Sequence, residues 1–311
     1  MDEIDLGLCA LLMRNCRAPY SELSAKLGIS VPSVHRRIRA LIESKVISEF
    51  VAVLSLKYIK AIPIMISGKS EARSIDGVIQ KLSKNKSVER AVFSSQNFVI
   101  LDGMIKDISE QEKYIDFVRT AAEITKPFVV VGSTPQDGGS NPGSTGVVRE
   151  LSSLDLKIAD SLRKDPRRQI KEIAKETGIS SKTVRRRLDL MIESGALEFT
   201  ILWAPTFSTG ITSFINIHVK PSADKSKIRG EVTSRFGSRM MGMVSAGNIP
   251  DLFICVAWSP TAQDHDNLTA SLADIKGVDS VSSDILQTGR YFKSWRYDLI
   301  EELANPGKNG I

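Results

Sequence analysis

The 311-residue chain has the composition of an ordinary globular protein, with 42% hydrophobic and 25% charged residues, and is long enough for two to four compact domains. Its formal net charge of +6 is compatible with an anionic partner. No apolar run approaches the length of a membrane span, and the acidic start from Met1 to Asp5 lacks the pattern of a signal peptide. We therefore expect a cytoplasmic protein without a membrane partner.

Residue types that commonly carry catalysis or metal binding are sparse. The three cysteines form no CxxC pair, and His35, His218 and His265 have no partner at metal-ligand spacing. The chain also lacks GxSxG, P-loop and GxGxxG motifs. The sequence thus predicts no metal, no cofactor and no catalytic residues, and we expect the protein not to be an enzyme.

The first predicted element is a helix from Ile4 to Met13, which carries its leucines on one face. A second helix, a tight turn at Gly28 and a basic third helix follow it. The apolar, β-prone segment from Val46 to Leu54 comes next. This order is typical of a winged helix-turn-helix, the first of two predicted in the chain.

The next segment has the pattern of a βαββαβ module, with predicted strands at Ile62 to Ser67, Val88 to Phe93, Phe98 to Ile105 and Lys126 to Val131. The same order of elements recurs from Thr212 to Leu286. We therefore expect an α+β fold, a tandem repeat of a winged helix-turn-helix and a ferredoxin-like βαββαβ domain. The predicted domain ranges are 1–54, 55–134, 151–204 and 205–300, with a linker at 135–150 and a tail at 301–311.

The clearest evidence for a repeat is an ungapped match at an offset of 150 residues. Ten of the 27 positions from Ser21 to Ile47 are identical in Lys171 to Leu197, among them Gly-Ile-Ser at the turn and Arg-Arg in the basic helix. We interpret this match as an internal duplication. The copies differ after the basic helix, where Lys45 stands in place of Gly195. The first copy must therefore place a lysine in left-handed geometry or end the helix differently.

The basic helices carry polar and cationic side chains away from their apolar stripes, as recognition helices do. The candidate DNA-binding residues are Ser33, His35, Arg36, Arg37, Arg39, Lys182, Thr183, Arg185, Arg186 and Arg187. Residues 151–200 hold 11 Lys plus Arg against 8 Asp plus Glu, whereas residues 1–50 hold 7 against 6. We therefore expect the second copy to bind phosphate more strongly.

Taken together, the Gly-Ile-Ser turns, the Arg-Arg pairs and the βαββαβ modules resemble the Lrp/AsnC family of prokaryotic transcription regulators. The resemblance covers both halves and implies a tandem fusion of two family units. It implies that the winged helix-turn-helix units bind double-stranded operator DNA. It also implies that the βαββαβ modules associate into homo-oligomers and, in many members, bind an amino acid effector. We expect these modules, and not the helix-turn-helix units, to provide the main association surface of at least a dimer.

Two other segments have more than one interpretation. The loop Gly247 to Asp251 resembles the effector loop of the family, which makes Gly247, Asn248 and Asp251 candidate effector-binding residues, but a plain β-hairpin turn also fits. The aromatic and basic tail Gly289 to Tyr297 is either a strip packed on a sheet or a base-stacking surface.

Two alternative functions share this fold pattern. Siroheme decarboxylases resemble Lrp/AsnC regulators in fold and lack obvious catalytic motifs, so a tetrapyrrole enzyme is the first alternative. An architectural protein that coats DNA with little sequence preference is the second. The position of the arginines in both predicted recognition helices favours the regulator.

Overall fold

A computed structural model describes residues 1–132, 149–245 and 247–306. Most of the segment predicted as a linker lies outside these ranges. The first winged helix-turn-helix contains three helices followed by a strand: α1 (Glu3–Arg14), α2 (Tyr20–Leu27), α3 (Val31–Glu43) and β1 (Ile47–Leu54). The second has the same order: α7 (Ser153–Lys164), α8 (Ile170–Thr177), α9 (Ser181–Glu193) and β6 (Leu197–Trp203).

Each winged helix-turn-helix continues into a βαββαβ unit. A short helix α4 (Leu56–Ile59) leads into the first unit, and a short 3-10 helix, Pro205–Phe207, leads into the second. The first unit consists of β2 (Ile62–Lys69), α5 (Ile75–Leu82), β3 (Val88–Ser94), β4 (Phe98–Ile105), α6 (Gln111–Ala121) and β5 (Phe128–Val131). The second consists of β7 (Ile211–Val219), α10 (Lys225–Phe236), β8 (Met240–Ser245), β9 (Leu252–Ser259), α11 (Ala262–Ala273) and β10 (Val278–Tyr291). The predicted α+β fold is confirmed.

The turns in the two helix-turn-helix motifs have the predicted geometry. Gly28 and Gly178 adopt φ angles of 65° and 71°, which glycine tolerates because it has no Cβ. After the third helix, Lys45 adopts φ 63° and Gly195 φ 65°, so the lysine takes the left-handed conformation. The two copies therefore end their third helix in the same way despite the different residue.

The two βαββαβ units form one eight-stranded sheet with the order β5-β2-β4-β3-β10-β7-β9-β8. They join where the C-terminal part of β10 pairs antiparallel with β3. The helices cover the outer faces, while the inner faces pack against each other through a cluster that includes Ile100, Val130, Phe214 and Ile254. Each open sheet face is thus covered by the other half of the same chain, because an exposed apolar face would be unstable in water.

The two winged helix-turn-helix units are also joined to each other. Strands β1 and β6 form an antiparallel two-stranded sheet. Buried side chains from both units belong to one core, which contains Leu12 and Ile38 of the first and Ile158 and Leu188 of the second. Within the chain the two units are therefore joined as well, through paired wing strands and a shared core. The expectation that the βαββαβ modules provide the main surface for association between chains stays a prediction.

The last helix of the described residues, α12 (Trp295–Ala304), was not predicted from the sequence, and the predicted boundary at residue 300 falls inside it. The tail interpretation as a packed strip is confirmed. Tyr291 donates its hydroxyl to the Trp203 carbonyl at 2.7 Å, and Trp295 donates its indole N–H to the Met104 carbonyl at 3.0 Å. These contacts place the aromatic tail across both halves.

Candidate nucleic-acid interface

Helices α3 and α9 are built alike. Ser30 and Ser180 cap them, since their hydroxyls accept hydrogen bonds from the backbone N–H of Ser33 and Thr183. The buried stripe consists of Val34, Ile38 and Leu41 in α3 and Val184, Leu188 and Met191 in α9. Each helix is therefore held by its apolar side and presents its polar side outwards.

The ten predicted DNA-binding residues divide into three groups by exposure and pairing. His35, Arg36, Lys182, Arg185 and Arg186 are exposed. Arg39 is also exposed but forms an ion pair of 2.8 Å with Glu43 on the same helix. The third group is half-buried: Ser33, Arg37, Thr183 and Arg187.

The half-buried arginines have a role that the sequence did not reveal. Arg37 bonds the carboxylates of Asp5 at 2.7 Å and Asp2 at 2.9 Å, at the start of α1. Arg187 bonds Asp155 at 3.0 Å at the start of α7. Both guanidinium groups thus tie the recognition helix to the first helix, and their charge is compensated within the protein.

This pairing makes the two recognition helices unlike in charge. Within the described ranges, no carboxylate lies within 4 Å of the side-chain nitrogens of Lys182, Arg185 or Arg186, so α9 presents three uncompensated cations. By the same criterion α3 presents one, Arg36, because Arg37 and Arg39 are paired with carboxylates. His35 packs edge-on against Tyr20, with ring centroids 5.6 Å apart. The two helices thus differ by two free cations, the same difference as that between the net charges of the sequence segments, +3 and +1.

The pairing of β1 with β6 fixes how the two helices are oriented. Phe50 pairs with Ile201 and Val51 with Thr200. At the repeat offset of 150 residues, Phe50 corresponds to Thr200 and Val51 to Ile201, so exchanging the two copies converts each pair into the other. A local twofold axis therefore passes between these strands, and it relates the two winged helix-turn-helix units.

Two arginines that the sequence analysis overlooked lie at this junction. Arg17 packs over the Phe199 ring at 5.4 Å and donates to the Arg168 carbonyl at 3.0 Å. Arg167, its counterpart 150 residues later, packs over Tyr20 at 4.7 Å and over Phe50 at 5.1 Å. Arg17 and Arg167 occupy the same position in the two repeats, and this equivalence is the sequence signal that could have identified them. Each arginine reaches across to the other copy, which strengthens the junction.

The candidate effector loop is occupied by contacts with the first half. The Gly247 N–H donates to the Val131 carbonyl at 3.1 Å. The Asn248 side chain accepts from the Val131 N–H at 3.0 Å and donates to the Val129 carbonyl at 2.9 Å. Asp251 pairs with Lys225 at 3.0 Å. Gly247 and Asn248 therefore connect the end of β8 to β5. The polar groups of the loop are engaged in these contacts and in the Asp251–Lys225 pair.

Comparisons with known proteins agree with this architecture. The model of the AsnC-type helix-turn-helix domain matches residues 1–42, and that of a winged helix-turn-helix DNA-binding domain matches residues 151–198. The solved structure of the siroheme decarboxylase NirDL superposes on this chain with a TM-score of 0.57 and 12% identity. The match covers 98% of this chain and 99% of NirDL. At that identity the likeness shows the fold alone. No helix in the described part of the chain is both long and apolar enough to cross a membrane.

Two curated relatives are transcription regulators. The HTH-type transcriptional regulator LysM of Sulfurisphaera tokodaii is 30% identical over 122 residues, which cover 39% of this chain and 86% of LysM. The regulatory protein AsnC of Haemophilus influenzae is 28% identical over 138 residues, covering 44% of this chain and 91% of AsnC. The alignment with each relative spans less than half of this chain, which carries two copies of the architecture. The chain belongs to the Lrp/AsnC family of regulators.

Proposed function

We propose that this protein is a sequence-specific, DNA-binding transcription regulator in which a single chain presents two recognition helices. The observation that carries the proposal is the twofold relation of α3 and α9 through the β1–β6 pairing, within one shared core. Regulators of this class usually need two identical chains to read two half-sites. Here one chain supplies both recognition helices.

The twofold axis and the differences in sequence together specify the form of the operator. Two readers related by a twofold axis meet DNA in opposite directions, so the half-sites are inverted. Because α3 and α9 carry different outward residues, the half-sites differ in sequence. Arg36 and Arg186 occupy equivalent exposed positions and are our choice for bidentate contact with guanine. Lys182 and Arg185 contact phosphate, which the positive end of the helix dipole at the N-terminus of α9 also attracts.

The proposed function is not enzymatic. The cavity between the two inner sheet faces, lined by Trp203, Thr206 and Tyr291, has a volume of about 30 Å³, enough for one or two water molecules. This cavity is too small for a tetrapyrrole, which needs a pocket of several hundred Å³, but an open cleft of about 490 Å³ lies elsewhere, beside α3. The choice between the two functions therefore rests on a binding test. The siroheme decarboxylase alternative is tested by mixing the protein with an iron tetrapyrrole. A stoichiometric change of the Soret band would favour the enzyme, and an unchanged band the regulator.

Two expectations from the sequence stay predictions. An amino acid bound by Gly247, Asn248 and Asp251 would raise the melting temperature, because a ligand of the native state stabilises it by mass action. It would have to compete with the contacts of Asn248 to β5. Further association of whole chains through the βαββαβ units is tested by light scattering.

Selection of bound duplexes from a random pool, followed by binding titrations, tests the proposal. We expect inverted, unlike half-sites. Arg36→Ala and Arg186→Ala should each relax base preference in one half-site, by about 1–3 kcal/mol of discrimination. Lys182→Ala, the matched control on the same helix as Arg186, should weaken all sequences alike and lower the salt slope by about one. Directly repeated half-sites, or a perfect palindrome with equal losses for both arginines, would contradict the proposal.

A further inference from the structure

An open cleft of about 490 Å³ separates the third helix of the first copy from the second half of the chain. One wall is the side of α3 that carries Arg36, Ala40 and Ser44, one turn apart. The other wall is the loop Phe207 to Thr209, which precedes β7. The volume lies in the range of pockets that bind small molecules, about 300–1,000 Å³. None of the residues that line the cleft belongs to the loop Gly247 to Asp251.

The cleft combines an apolar interior with a polar rim. Ala40, Leu41 and Val46 line one side, and Phe207 faces them with 49% of its surface exposed. A large aromatic side chain exposed at a cleft loses contact with water when a ligand covers it, which favours binding of an apolar group. The Ser44 and Ser208 hydroxyls lie among these groups. The interior therefore suits a small apolar body.

The charged groups that line the cleft determine whether a cationic or an anionic ligand fits it. Arg37 also lines it, but Asp2 and Asp5 already compensate its guanidinium group. Arg36 is exposed and, within the described residues, has no carboxylate within 4 Å. A planar guanidinium group with unpaired N–H donors binds a carboxylate in bidentate geometry. The Arg36 guanidinium group at the cleft therefore matches a single carboxylate.

The two copies differ at the element that faces the start of their first helix. Tyr58 of α4 and Phe207 of the short 3-10 helix occupy equivalent places, each the third residue after its helix cap. The Tyr58 hydroxyl accepts a hydrogen bond from the Leu151 N–H at 3.4 Å, next to the start of α7. Phe207 has no hydroxyl, and the Thr209 hydroxyl instead accepts from the Met1 amino group at 3.0 Å. The Phe207 ring is left exposed at the cleft.

We propose that this cleft binds a small monocarboxylate with an aromatic or branched apolar body, its carboxylate on Arg36 and its apolar part against Phe207 and Leu41. Arg36 is also the base contact chosen for α3, so the bound ligand removes that side chain from the DNA. This second step rests on the proposed function. The site itself does not, because its contacts involve no nucleic acid.

Isothermal titration with the full chain tests the site. The probes are 3-phenylpropanoate and, as the uncharged control, 3-phenylpropan-1-ol. We expect the carboxylate to bind and the alcohol not to bind. Ser208→Tyr, which places a large ring in the cleft, and Arg36→Gln should each weaken binding at least about tenfold. Ser208→Ala, which loses the same hydroxyl without filling the cleft, should bind like the wild type.

The outcomes separate the site from its effect on DNA. No heat with the wild type at millimolar 3-phenylpropanoate, or equal affinity in Ser208→Tyr and Ser208→Ala, would overturn the site. With a selected operator, the carboxylate should weaken binding by the wild type and leave Ser208→Tyr unaffected. A ligand that binds without changing operator affinity would overturn the coupling and leave the site standing. A protein that binds no DNA would contradict the proposed function instead.

Discussion

The two winged helix-turn-helix units share a framework and differ in how the rest of the chain holds them. Helix α12 packs against α7 of the second unit and against β1. Arg163 of α7 pairs with Glu301 of α12 at 2.8 Å, and Arg296 bridges the Leu54 carbonyl at 2.8 Å and Glu198 at 2.7 Å. Helix α1 of the first unit instead lies against β6 and the short 3-10 helix Gly237–Arg239.

The difference shows that two copies of one motif have acquired unequal supports and unequal surfaces. The second unit is braced by α12 and presents three free cations on its recognition helix. The first presents one free cation, which lines a cleft. Two copies within one chain can differ in this way because each meets different neighbours, whereas two identical chains around a twofold axis must stay equivalent. Three substitutions, taken from the largest expected effect to the smallest, test the comparison.

Removing the buried anchor of α12 should have the largest effect. Ile300 is fully buried in the core shared by the two units. Ile300→Ala should lower the free energy of unfolding by about 2–5 kcal/mol, because it removes buried methyl groups and leaves a cavity. Leu303→Ala on the same helix is the control, since Leu303 is 41% exposed and should lose far less.

Hydrogen exchange in the Ile300→Ala variant then tests whether α12 braces the second unit in particular. We expect faster exchange in α7 to α9 than in α1 to α3. Equal acceleration in both units, or equal destabilisation by the two alanine variants, would show that α12 does not distinguish them.

The carboxylate beneath the second recognition helix should have a smaller and pH-dependent effect. Although burial alone would raise the pKa of Asp155, hydrogen bonds from Ser152 and Arg187 lower it below its usual value. Asp155→Asn should cost about 1–3 kcal/mol at neutral pH, because the largely buried carboxylate loses its charge and the Arg187 guanidinium loses its partner.

The sign of the pH dependence follows from the direction of that shift. A carboxyl whose pKa is lowered on folding stabilises the protein above its unfolded pKa of about 3.9, and this stabilisation is lost as the pH falls through the folded pKa. Urea unfolding of wild type and Asp155→Asn should therefore differ by a constant amount at neutral pH and converge in acid. A gap that persists unchanged in acid would show that the charge is not responsible.

The smallest effect concerns the residue after each recognition helix. Lys45 and Gly195 adopt nearly the same left-handed φ and donate to equivalent carbonyls at 3.0 Å. Lys45→Gly should stabilise the protein by up to about 1 kcal/mol, because a side chain is strained in this conformation. Gly195→Lys should destabilise by a similar amount. Thermal unfolding of both variants measures the two shifts in melting temperature. Shifts of the same sign would contradict the interpretation.

Much of the local structure was predictable from the sequence. Helical periodicity, the capping serines and the turn glycines identified both helix-turn-helix motifs, and alternating strands with helices between them identified both βαββαβ modules. These signals depend on residues close in the chain. The offset of 150 residues added the repeat, and with it the equivalence of Arg36 and Arg186.

The tertiary structure decided which of these residues are available. The pattern grouped Arg37 and Arg187 with the exposed cations, but carboxylates from another helix compensate them. Asn248 fitted an effector loop, yet its amide pairs with β5 from the other half. The relative orientation of α3 and α9 likewise follows from the register of the β1–β6 pairing. Helix and turn follow from local sequence because neighbouring residues determine backbone preference. Partners on other elements, from 32 residues away for Arg187 and Asp155 to 119 for Asn248 and Val129, are chosen by packing and charge in the folded chain.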